Sequence, residues 1–456
     1  MAKPVSIKAD DVFAQFLIWP PGQRNKLNTA NLILDFQRTN QELLNFLDIT
    51  ITCVGNDRNS KMECMTSRYV GAIPTVVFGG EAGGDIFVYP GRMSGSGEQA
   101  LSELTSILLL LDEDIQPEFY PSQPLKNAFA LRPPLYYEAI KYLRLYQRAI
   151  PVRWRKFRTE RRSYPYPKGS TDWEAYAQNL STPQNWTRFP ARDSVLTVNH
   201  PEWQELKYVF ELAAAELMRP SAPQKLRTQY AHLIQELGLR TKDIPAREPH
   251  AIREHVSDPV VIKELKRQAN ILLTRRTTQC TAWRIDVAKV FELYVQLVLK
   301  QALQQFGWGD CLYANARFSG AGQIPPWGLQ YLEPDIVINH EDVMLIADAK
   351  YKSNLFAKSN RNDPIHKETH RHDLHQLLAY CAFAPQKDKL AMLVYPYNEV
   401  YVQELSYQDP FAHTKNTVLL VGLPFEADHV AETVRKVKEE ILQPYLTRYM
   451  EEQKHE

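Results

Sequence analysis

The chain has 456 residues, 44% of them apolar, which is enough for two or three domains with a sizeable core. Its 54 Lys and Arg offset 53 Asp and Glu to leave a net charge of +1, so there is no global polyanion-binding signature and any basic surface must be local. The five cysteines form no CxxC pair, MAKPVSIKADD has no apolar run, and ILLLL at 107–111 is too short to span a bilayer; we expect a cytoplasmic protein with no signal peptide, disulfide frame, Cys-based zinc site or membrane span.

In chain order, residues 28–48 carry apolar side chains at helical spacing. DITITCV (48–54), YVGAIPTVVF (69–78) and DIFVYPGR (85–92) predict strands, with GGEAGG (79–84) as a flexible turn. EQALSELTSILLLLDED (98–114) predicts a helix ending in charges. Its SILLLLDED imitates a Walker B strand, but no GxxxxGK[ST] occurs anywhere, and GRMSGSG (91–97) lacks the Lys-Ser/Thr of a phosphate cradle. No nucleotide site is expected. Residues 1–115 read as a mixed, β-rich N-terminal domain.

Residues 116–245 read as a mainly helical middle domain, with YYEAIKYLRLYQRAI and HPEWQELKYVFELAAAELM its clearest helices. The stretch 141–168 holds ten Lys or Arg against one acidic residue, Glu160. Trp154, Phe157, Tyr164 and Tyr166 are interleaved with them. Such a run is a solvated face lying over apolar rings, an acidic partner's docking surface, or a phosphate-contacting surface with stacking aromatics. The concentration of charge favours a polyanion. Arg153, Arg155, Lys156, Arg158, Arg161 and Arg162 are the DNA-contact candidates, with Lys352 from further along the chain.

PAREPHAIREHVSDP (245–259) reads as a linker into a last domain, 246–456. That domain predicts a long helix (283–306), a strand (312–318), strand PDIVI (334–338), a short turn and strand VMLIADAKYK (343–352). A polar loop (353–371) leads to a helix (373–384) and strand KLAMLVYP (389–396). Two more strand candidates and a terminal helix (427–452) close the chain. The order α-β-β-β-α-β implies a mixed sheet with helices on its faces, within an α+β multidomain protein. IHKETHRHDLH (365–375) brings four histidines together, a composition that can bind zinc; with no cysteine nearby, a polar surface loop is the better reading.

The apolar strand VMLIA ends in Asp348 and Lys350, which alternation puts on one face, and Asp335 on the preceding strand can reach them. Metal-assisted phosphodiester cleavage needs hard oxygen ligands, a way to activate water and a cation near the developing charge. Asp335, Asp348 and the Ala349 carbonyl are candidate ligands for Mg²⁺ or Mn²⁺, with Glu292 on the long helix a further one. Lys350 would orient water or stabilise charge. Gln376 and Tyr380, four apart on the next helix, would hydrogen-bond the DNA backbone or orient Lys350. The bland alternative is a salt-bridged strand end beside a surface helix.

Glu292, Pro334-Asp335, Asp348-Ala349-Lys350 and QLLAY (376–380) resemble the PD-(D/E)xK nuclease superfamily. FELYVQLVL, PDIVI, LIADAKYK and DLHQLLAY are similar to the McrC-type endonuclease subunit of methylation-dependent (type IV) restriction systems, the McrBC family. The similarity is densest over 283–396 and extends to 140–215 and 67–92, where the family's usual Pro-Lys stands as Pro-Gly-Arg. The resemblance implies a restriction-endonuclease-like core and a DNA endonuclease in defence against foreign DNA. It also implies a separate McrB-like AAA+ GTPase hexamer that the N-terminal region docks on and stimulates. Other readings are an assembly subunit with a vestigial nuclease domain, and a stand-alone nuclease.

Overall fold

The computed structural model describes residues 5–8, 14–15, 29–54, 61–76, 82–93, 97–111, 115–122, 125, 135–220, 222–249, 251–277, 281–319, 330–340, 343–352, 364–384, 389–408 and 415–454. The chain forms two compact units: residues 134–279, and residues 1–133 together with 280–456.

In the discontinuous unit, a five-stranded sheet runs in the order Val5–Lys8, Ala82–Tyr89, Tyr69–Val76, Ala282–Asp286, Glu118–Tyr120. Strand Ala282–Asp286 differs from the sequence expectation, which began a helix at 283. Trp283 and Ile285 are both buried, a period-two pattern that suits a strand. It pairs antiparallel with Tyr69–Ala72, and the backbones approach so closely that a Cβ at Gly71 would lie 2.0 Å from the Trp283 carbonyl oxygen. The helix begins at Val287, capped by Asp286, whose carboxylate accepts the Lys289 N–H at 3.2 Å. The helix expected over 28–48 is two helices, Thr29–Thr39 and Gln41–Phe46. They break at Asn40, whose buried amide bonds both backbone groups of Val76 at 2.8 Å. Part of the Gly-rich turn expected over 79–84 is strand from Ala82; residues 79–81 and 94–96 lie outside the described residues.

The same unit holds a six-stranded mixed sheet, ordered Leu312–Ala314, Ile336–His340, Val343–Ala349, Lys389–Pro396, Lys415–Leu423, Tyr401–Gln408. Val343–Ala349, Lys389–Pro396 and Lys415–Leu423 are mutually parallel neighbours. The first two are buried along nearly their whole length, as strands covered on both faces must be. The expected order of helix, three strands, helix, strand is present in this α+β protein. The strand expected over 312–318 stops at Ala314, because Asn315 takes a left-handed φ of 50°, which Asn tolerates better than most residues. The second helix starts at Pro364, nine residues before the expected 373, so His370, His372 and His375 are helical and not on a loop. Proline suits a helix's first position, because its φ is already set. Residues 353–363 of the expected loop lie outside the described residues.

The other unit packs helices Leu135–Ala149, Pro201–Leu217, Gln224–Arg240 and Val260–Thr277 with the hairpin Lys156–Tyr164/Phe189–Thr197. Tyr146 is its hub, with ring centroids 4.9 Å from Phe210 and 5.6 Å from Trp203. Helix Val260–Thr277, which the sequence reading grouped with the last domain, belongs here. Gln268 donates to buried Glu138 at 2.5 Å, and Arg275 pairs with Glu138 at 2.6 Å. The linker expected over 245–259 ends inside this unit, where buried Asp258 pairs with buried Lys266 at 2.7 Å.

Candidate active site

Strands Ile336–His340 and Val343–Ala349 are antiparallel, with Ile336 opposite Ala347. Extending that register by one residue sets Asp335 opposite Asp348, within reach of one another as a cross-strand pair. Asp335 Oδ2 accepts the Ala349 backbone N–H at 2.7 Å. Lys350 leaves the strand end with its own N–H donated to the Val394 carbonyl at 2.8 Å. Its side chain turns back to the Asp348 face, with Nζ 2.5 Å from Asp348 Oδ2. Asp348 and Lys350 thus present their charges on one face at the strand end.

Asp348 is only 1% exposed, and among the described residues no hydrogen-bond donor is aligned on its Oδ2, although the Lys350 ammonium pairs with it. Burial, then the charges of Asp348 and Glu292, push the Asp335 carboxyl up to about 7, against the Ala349 N–H and Lys350. Burial also raises Asp348 in spite of Lys350. The two acids titrate as a pair that resists losing both protons. Burial works to lower the Lys350 ammonium, but Asp348, Asp335 and Asp373 carry it above its ordinary value, so it stays charged. Two crowded, under-solvated carboxylates are a donor set that suits a hard divalent cation, whose charge relieves their repulsion.

Glu292 is engaged on its own helix, while its charge still acts on Asp335. Its Oε1 accepts from Lys289 at 2.6 Å and from Gln296 at 3.2 Å. Gln296 also donates to the Asp335 carbonyl at 3.2 Å, so it ties the helix to the strand. Among the described residues, no three His, Cys, Asp or Glu side chains cluster as metal ligands; that covers Glu292 with the two aspartates, and the helical histidines. Gln376 and Tyr380 do meet the site. Lys350 donates to Gln376 Oε1 at 3.1 Å, and Gln376 donates to the Tyr380 hydroxyl at 2.7 Å.

A family model described as the McrBC 5-methylcytosine restriction system component matches residues 127–396. This chain belongs to that family. The resemblance to the McrBC family is thereby borne out, and the match spans Glu292, Asp335, Asp348, Lys350, Gln376 and Tyr380. The chain is also similar to a solved Thermococcus gammatolerans structure, a refined half-complex from a tetradecameric assembly of McrB AAA+ hexamers with bound McrC. Identity there is 16% and the TM-score 0.44, covering 96% of this chain and 100% of that one. A cryo-EM structure of the Thermococcus gammatolerans McrBC complex matches at 13% identity and a TM-score of 0.28, over 66% of this chain and 88% of that one. Overlaps that loose carry no argument of their own. No curated protein matches significantly.

Elsewhere in this McrBC-family chain, the basic candidates divide. Arg153, Arg155, Arg158, Arg161 and Arg162 are exposed on or beside the hairpin of the helical unit. Lys156 instead pairs with Glu202, and with Asp258 at 3.7 Å, so its charge is spent on packing. Lys352 pairs with buried Asp373 at 2.5 Å, and Asp373 also accepts from Tyr395 at 3.3 Å. Sequence reasoning missed Gln296 and Asp373. Gln296 is four residues from Glu292 on one helix face, and Asp373 three before Gln376 on another, so helical spacing carried the signal. Among the described residues, no helix is long and apolar enough to cross a membrane.

Proposed function

We propose that this chain is the DNA-cutting subunit of its restriction system, a Mg²⁺- or Mn²⁺-dependent endodeoxyribonuclease with a PD-(D/E)xK core. It works in the cytoplasm with a McrB-like AAA+ GTPase hexamer, whose hydrolysis it stimulates. The observation that carries this reading is the buried Asp335–Asp348 pair beside a charged lysine at one strand end. Membership of a restriction-system family supports it.

Asp335, Asp348 and the Ala349 carbonyl would hold the cation. When bound, it supplies Lewis acidity to the phosphoryl oxygens and acidifies water. The chain's own part is positional and electrostatic. Lys350, held charged by Asp348, faces the place where negative charge develops. Gln376 accepts one of its protons and fixes its direction, and Tyr380 in turn fixes Gln376. Glu292, sharing the Gln296 amide with the Asp335 backbone, adds negative potential on the helix side. The exposed arginines of the helical unit would hold phosphates without reading sequence.

The test combines full-length protein, a AAA+ partner, GTP, Mg²⁺ and methylated plasmid. Asp348→Asn should abolish cutting while stimulation of GTP hydrolysis persists. A variant that still cuts sinks the catalytic assignment. A wild-type protein that stimulates hydrolysis and never cuts DNA would instead support an assembly subunit.

A further inference from the structure

A concavity opens at the carboxyl ends of the parallel strands Lys389–Pro396 and Lys415–Leu423. Ligands of open parallel sheets gather at such ends. The cavity measures about 420 Å³ and is lined by Gly91, Arg92, Met93, Pro396, Tyr397, Asn398, Phe425 and Glu426. That is the size of a small-ligand site.

Three of its features point to one ligand chemistry. Arg92 presents a buried Nε that has no hydrogen-bond partner among the described residues. Arg92 also lines the cavity, and the planar fork of a guanidinium matches phosphate. Glu426 also lines the cavity, with one carboxylate oxygen 2.9 Å from His429 Nδ1. Tyr397 supplies an aromatic wall. Its N–H is donated to the Leu423 carbonyl at 2.8 Å, and a Cβ at Gly422 would lie 2.8 Å from Tyr397 Cβ, so only glycine lets the tyrosine sit there. Asn398 is exposed at the rim and offers an amide donor and acceptor. The cavity is also linked to the candidate active site. Phe425 packs edge-on to Tyr351, the residue after Lys350, with ring centroids 6.1 Å apart.

We infer that this cavity binds a nucleoside phosphate, with Arg92 on the phosphate and Tyr397 against the base. The inference rests on the nuclease reading for its biological sense, but its test does not depend on cutting. Full-length protein in EDTA is titrated calorimetrically with thymidine monophosphate, with thymidine, and with a short 5′-phosphorylated single-stranded oligonucleotide. Thymidine monophosphate binds, and thymidine binds far more weakly. Arg92→Gln weakens the phosphate-bearing ligand about tenfold or more, the scale of one charge-assisted contact, and Arg92→Lys restores part of it. Tyr397→Leu weakens all three ligands. Asp348→Asn leaves thymidine monophosphate binding unchanged, which separates this site from the catalytic one. Tighter binding of the oligonucleotide than of the mononucleotide, lost in Arg92→Gln, assigns the site to a strand of the substrate; equal binding assigns it to free nucleotide. Wild-type protein that binds neither phosphate ligand overturns the inference. So does Arg92→Gln that melts like wild type and binds as tightly.

Discussion

Asp335 accepts the Ala349 N–H at 2.7 Å while its carboxylate faces Asp348 across the hairpin. One bond therefore fixes an acid that its neighbours would rather see protonated. Asp335→Asn keeps an acceptor for Ala349 and removes one charge from the crowded pair. We expect it to lose DNA cleavage and yet gain about 1 kcal/mol of stability, as relief of active-site strain commonly gives. Cleavage assays beside thermal melting check both halves. A lower melting temperature would mean that the pair is not mutually repulsive.

Gln376 acts only through Lys350. Gln376→Leu should slow cleavage about 10- to 100-fold, as loss of a supporting hydrogen bond does at metal sites. Tyr380→Phe, one bond further out, should cost less. Single-turnover rates at saturating Mg²⁺ order the two. Equal losses would put the tyrosine in direct contact with DNA.

Lys266 is fully buried between Asp258 at 2.7 Å and Glu202 at 2.5 Å. Lys266→Met leaves buried Asp258 with Lys156, at 3.7 Å, as its remaining cationic partner, a loss of about 3 kcal/mol to the helical unit. Denaturant unfolding followed by tryptophan fluorescence should show it through Trp154, whose ring lies 4.9 Å from the ammonium. A shift smaller than 1 kcal/mol, roughly a surface-pair value, would show the network to be open to water.

His200 caps helix Pro201–Leu217 by accepting the Trp203 N–H on Nδ1 at 3.3 Å, so its proton belongs on Nε2, 3.4 Å from the Trp154 carbonyl. Burial lowers its basicity below the ordinary 6.5, although the Trp154 carbonyl and Glu202 pull the other way. The unfolded ring takes up a proton first. Stability from this group is therefore full above about pH 6.5 and falls as the pH drops through that value. Half-buried Glu202 and buried Asp258, held below their usual range by Lys156 and Lys266, add a second loss at lower pH. Melting at pH 7.5, 6 and 5 should show the first decline, and His200→Asn, which keeps a cap, should flatten it. An unchanged slope in the variant rejects the assignment.

Arg155, Arg158 and Arg161 are exposed on one hairpin arm and its approach, whereas Lys156 is paired inside. If the arm meets phosphates, each Arg→Ala should reduce the salt slope of DNA affinity by roughly one. Lys156→Ala should destabilise the unit and leave that slope alone. Affinity measured across a salt series decides; an unchanged slope in all three arginine variants removes DNA from this surface.

The local arrangement of the candidate site follows from short-range sequence pattern. Strand parity put Asp348 and Lys350 on one face, and helical spacing put Gln376 with Tyr380. A short hairpin between two apolar runs put Asp335 within reach of them. These are rules of period and register that act within a few residues of one another. What a charge is paired with, and which sheet a strand joins, is settled between residues far apart in the chain. Lys156 and Lys352 look alike as basic candidates, yet Glu202, Asp258 and Asp373 had already claimed them. Ala282–Asp286 looked like the start of a helix until the edge of Tyr69–Val76 captured it. Helix Val260–Thr277 followed Glu138, more than a hundred residues upstream, and not its own neighbours in sequence. Only tertiary packing decides such matters, because desolvating a charge or leaving a strand edge unpaired costs more than any local preference returns.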